Sequence, residues 1–120
     1  MGLDTYASNS PDDVVLSPED EQAFLEAEIN LCGGMYSGGE GSFRGKVYSL
    51  LILEITGFSL HQEWIPPETV REMYAALLNC DPEQAILESG EADRSSNEIL
   101  ELRKFFRVCN ERGLGLINWW

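Results

Sequence analysis

Ser42, Arg44 and Lys46 stand at alternate positions in GSFRGK. They close a segment holding Gly33, Gly34, Gly38, Gly39, Gly41 and Gly45, six of the chain's eleven glycines. A hydroxyl, a planar guanidinium and an ammonium placed together suit a phosphate or a carboxylate. Glycines let backbone N–H groups turn inward around an anion, and a helix beginning there adds the positive end of its dipole. Tyr36 and Phe43 offer aromatic faces for a base or a sugar. The candidate ligand-binding set is therefore Tyr36, Ser42, Phe43, Arg44 and Lys46. It matches no phosphate motif. The Walker pattern needs glycine where Glu40 stands and Ser or Thr where Val47 stands. GEGSFRG is one residue too long for G-x-G-x-x-G. The competing reading is a flexible connection whose Arg44 and Lys46 pair with the many nearby acids.

His61 and Glu63, in SLHQEWIPP, are the only histidine–carboxylate neighbours, and in an extended stretch they point to one side. No serine or cysteine is tied to them by spacing, so the sequence names no catalytic residue and favours a non-enzymatic protein, with enzyme status open. Cys32, Cys80 and Cys109 are widely spaced and lack a C-x-x-C pairing, which predicts reduced, buried thiols. With one histidine in the chain, neither a metal site nor a cofactor is expected. Glu19, Asp20, Glu21, Glu26 and Glu28 lack the register of a calcium loop and read as a solvated helix face.

These groups need elements to hold them. MGLDTYAS reads as a short strand, followed by a loose lead-in within residues 1–16. Ser17 and Pro18 announce a helix, with Phe24, Leu25, Ile29 and Cys32 inward and Gly33 and Gly34 as its stop. KVYSLLILEITG is apolar on nearly every side. Its length and its glycine stop favour a buried helix, while Val47, Ile52 and Ile55 keep a strand open for residues 46–56. Pro66 and Pro67 open a helix whose Val70, Met73, Tyr74 and Leu77 share a face. Asp81 to Gln84 starts a short helix, and Ser95 with Glu98 caps a long one. In the long helix Ile99, Leu102, Phe106 and Cys109 point inward, and Gly113 stops it. LGLINWW reads as a strand beside MGLDTYAS, with Trp119 and Trp120 folded back onto the domain rather than presented to a partner. The expected fold is a mostly α (α+β) single domain, residues 1–120, of about four helices with a small sheet from its N- and C-terminal segments.

The formal charge is −13, with 21 acids against 8 bases. Such a chain repels phosphate backbones and anionic bilayers, so neither direct nucleic-acid backbone binding nor a membrane is expected. No apolar run reaches the length of a membrane span and no signal-peptide pattern opens the chain, which predicts a cytoplasmic protein. MGLDTY, CGGMYSGGEGSFRGKVY, EWIPPE and LRKFFRVCNERGLGLINWW together resemble a group of small uncharacterised bacterial proteins, over most of the chain. The resemblance implies a bacterial or phage cytosolic protein and carries no activity. Two functions follow from the residues. The first is a small binding protein for a phosphorylated or carboxylate ligand at loop 33–46. The alternative is an acidic protein-interaction or regulatory module that uses its acidic face or its aromatic C-terminus.

Overall fold

Ser17 opens the first helix as its residue type predicts. Its hydroxyl accepts a hydrogen bond from the Asp20 N–H at 3.2 Å, and Pro18 follows at the start of α1 (Pro18–Glu26). The structure, a computed structural model, describes residues 4–10, 17–29, 42–43, 45–89 and 96–119. Helix α1 does not run on towards Gly33. It ends at Glu26, and Glu28 adopts the left-handed conformation, φ 52°, that the sequence reading reserved for glycine. Phe24 is fully buried, but Leu25, expected inward, is exposed. Cys32 and the glycine pair lie outside the described residues.

KVYSLLILEIT is a helix. It forms α2 (Gly45–Thr56), with Tyr48, Leu51 and Ile52 buried and Gly57 at φ 77° just beyond its end. Pro66 caps and Pro67 opens α3 (Pro67–Asn79), whose Val70, Met73 and Leu77 are fully buried while Tyr74 packs at the margin of the core. Asp81 caps α4 (Pro82–Ser89), its carboxylate accepting from the N–H groups of Glu83 and Gln84. Helix α5 (Asn97–Arg112) buries Ile99, Leu102, Phe106 and Cys109 as expected, and Phe105 and Val108 besides. Ser95 lies outside the described residues. Gly113 ends α5 at φ 67°, and the Leu114 N–H returns to the Cys109 carbonyl at 2.8 Å. The described residues thus hold five helices, each on a segment that the sequence marks as helical, the short α4 included.

The terminal segments pair as expected. Strand β1 (Asp4–Ser8) runs antiparallel to β4 (Gly115–Trp119), with Tyr6 opposite Ile117. Two short strands missed in the sequence extend this pair. Strand β2 (Ser42–Phe43) adds to β1 and β3 (Trp64–Ile65) adds to β4, for an order β2-β1-β4-β3. Because opposed residues share a face, Ala7, Leu116 and Ile65 lie on one side with Thr5, Phe43 and Asn118. That side joins the helical core. Thr5 and Asn118 are polar yet buried, and each supplies what the other needs. The Thr5 hydroxyl donates to Asn118 Oδ1 at 2.7 Å, and Asn118 Nδ2 donates to the Gln62 carbonyl at 2.9 Å. The fold is α+β, mostly helical, with a small antiparallel sheet at its base.

Candidate functional site

The glycine segment meets the fold at β2. Register with Thr5 turns Phe43 into the core, where it is fully buried. Its ring lies 4.8 Å from Phe105 and 5.7 Å from Tyr48, centroid to centroid, both edge to face. Phe43 is therefore an anchor rather than a face open to a base or sugar. It pins the chain one residue before Arg44 and two before the first turn of α2. Ser42 points the other way, on the opposite side of the sheet, and is half-buried. Lys46 lies in the first turn of α2. Tyr36 and Arg44 fall outside the described residues. Of the five candidates, the fold thus brings Ser42 and Lys46 to the two sides of one strand-to-helix junction and withdraws Phe43 from it.

The start of α2 differs electrostatically from the others. Helix α1 carries Glu19, Asp20 and Glu21 in its first turn, α3 carries Glu68, α4 Glu83 and α5 Glu98. The first turn of α2 holds no acid. In a chain with 21 acids, the positive end of this one dipole is left without a carboxylate of its own helix.

A second cluster was not foreseen as a unit. Arg107 and Arg112 of α5 line a groove of about 360 Å³ against Ala23, Glu26 and Ala27 of α1. The signal in the sequence was the basic run from Arg103 to Arg112 in an otherwise acidic chain. Both guanidiniums are engaged. Arg112 Nε donates to Asp20 Oδ1 at 2.6 Å, and Arg107 Nε lies 3.5 Å from Glu111. Asp20, expected on a solvated face, is only 8 % exposed because Arg112 reaches it from the far end of the chain. Arg103 is structural too, donating to the carbonyls of Leu77 and Cys80 and so fastening α3 to α5. The groove is charge-balanced and selects neither sign of ligand.

His61 and Glu63 are both exposed, on the segment that leads into β3. Among the described residues, no three His, Cys, Asp or Glu side chains gather as a metal site, and no helix is long and apolar enough to cross a membrane. Cys109 is fully buried, and burial pushes its thiol far above the usual range, with the Asp20 charge adding to the effect. It is not a nucleophile in the native state. In a native digest after iodoacetamide treatment at about pH 8, near the usual thiol pKa, the Cys109 peptide stays unmodified; after guanidinium unfolding it labels fully. The same burial makes stability fall as pH rises above about 8.5, because only the unfolded chain releases the Cys109 proton there. Native labelling as fast as that of unfolded chain would show the α5 face to be open.

No family model, no curated protein and no solved structure matches this chain.

Proposed function

We propose that this chain is a small binding protein for an anionic ligand, phosphorylated or carboxylate, held where the glycine segment enters α2. The observation that carries this is the acid-free first turn of α2, which follows directly on the anchored Ser42–Phe43 strand. The N–H groups of Gly45, Lys46 and Val47 open α2 and have no partner within the helix, which makes them the donors of this reading, and Arg44 and Lys46 provide the positive charge. Ser42 adds a hydroxyl at the mouth. Phe43 contributes by fixing the strand that leads into α2 from below.

A thermal-shift panel of inorganic phosphate, nucleotides, sugar phosphates and small di- and tricarboxylates tests this. A ligand present at about a hundred times its Kd raises stability by about 2.7 kcal/mol, well within detection. The expected result is a shift with at least one anion class. In the double variant Arg44→Ala/Lys46→Ala that shift is lost while the ligand-free melting temperature stays the same. If no anion shifts the wild-type chain, the proposal fails. If the double variant unfolds without ligand, Arg44 and Lys46 serve the fold.

A further inference from the structure

Helices α2 and α4 pack side by side, yet both turn apolar residues outward. Leu50 and Leu53 lie one turn apart on the side of α2 opposite Tyr48, Leu51 and Ile52, and are 67 % and 44 % exposed. Leu87 lies opposite Ala85 and Ile86 on α4 and is 68 % exposed. Between the two helices runs a groove of about 180 Å³. Glu54 and Ile55 form one wall, Gln84, Ala85 and Glu88 the other, and Asp81 closes it. Three carboxylates therefore line a groove that, among the described residues, receives no base, and leucines stand on the helices at either side.

We infer that this face docks a basic amphipathic helix of a partner protein, its apolar stripe on Leu50, Leu53 and Leu87 and its cations over Glu54 and Glu88. Charge selects that occupant. A second copy of this chain would bring another −13 and, in a two-fold arrangement, the same three carboxylates against themselves. An anionic bilayer is repelled in the same way. A lysine-rich helix satisfies the acids and covers the leucines in one contact, the usual helix-in-groove mode. Asp81 already caps α4, which leaves Glu54 and Glu88 as the acids free to change without unwinding it.

The test uses the full chain and a fluorescent synthetic helix of leucine and lysine, with leucines at i, i+3, i+4 and i+7, titrated by anisotropy. Leu50→Ser/Leu87→Ser and Glu54→Gln/Glu88→Gln are each expected to weaken binding about tenfold or more. Glu19→Gln/Glu21→Gln, which removes the same charge from exposed positions on α1, changes it less than about twofold. Equal losses in the groove and α1 variants would mean that net charge alone recruits the peptide, and would overturn the assignment. So would absence of binding to the wild-type chain. A wild-type dimer in sedimentation that Leu50→Ser/Leu87→Ser returns to monomer would place a second copy on this face instead. All these positions are exposed, and an unchanged melting temperature for each variant confirms that the comparison concerns the surface.

Discussion

Phe105→Ala lowers the free energy of unfolding by about 3–5 kcal/mol, the loss expected for a fully buried phenyl ring. Phe105 is fully buried and touches three other rings at once. Phe24 of α1 lies 5.0 Å away, Phe43 of β2 4.8 Å and Phe106 of its own helix 6.0 Å, by ring centroids. Tyr48 of α2 joins through Phe43. Removing the central ring takes away the transfer energy of a phenyl group and leaves its neighbours around a void, because α1, β2 and α2 are each held by other contacts and collapse only in part. A domain of this size has about 5–15 kcal/mol in total, so the variant loses a large share of its stability. Urea unfolding reads the result as a lower midpoint with an unchanged slope. A midpoint equal to wild type would show that the four-element aromatic cluster is not formed in solution. The same variant bears on the binding proposal, since Phe43 loses its partner and the junction at α2 loosens.

Gly115→Ala is expected to destabilise by about 1–3 kcal/mol, the range for adding a methyl group to a packed site. A Cβ on residue 115 would lie 2.5 Å from the Ile65 carbonyl oxygen and 2.5 Å from the Trp64 indole. The indole alone could swing aside. The carbonyl cannot, because β3 is only two residues long and is paired with β4 at Trp64–Ile117 and Ile65–Leu116. Space for one side chain therefore requires β3 to leave the sheet or β4 to bow away from it. Thermal unfolding followed by tryptophan fluorescence detects both, since Trp64 reports on the contact itself. A melt that matches wild type would place β3 further from β4 than the structure does.

Long elements were legible in the sequence where their spacing repeats. Ile99, Leu102, Phe106 and Cys109 mark one face of α5, and Gly113 marks its end, before any coordinates are consulted. The β1–β4 pair was readable because each strand has enough residues to declare itself. Strands β2 and β3 have two residues each, too few for any alternation, and exist only because β1 and β4 offer edges to them. Phe43 looked like a loop aromatic for the same reason; its burial is set by register with Thr5, a relation between distant segments. Asp20 could not be separated from Glu19 and Glu21 by type, and only Arg112, remote in sequence and near in space, withdraws it from solvent. At the glycine segment the sequence supplied the donors and the charges. The fold adds the anchored strand Ser42–Phe43 and a helix start at Gly45 with no acid in its first turn.

The central partners of the sheet come from opposite ends of the chain, so that Thr5 bonds Asn118 across 113 positions. Such a contact is costly to close early, and folding that depends on it is slow compared with folding through neighbouring segments. During synthesis β1 is made well before β4, and although β2 can take one of its edges early, the edge that β4 covers stays unpaired until β4 has emerged. The helices α3 and α5 can dock on each other in that interval, but the floor beneath them is missing. Nascent chains of this protein therefore pass through a state in which helices expose the face that the sheet will cover. Until β4 arrives, that edge of β1 is open to pairing with a neighbouring chain, and only the β1–β4 ladder closes it.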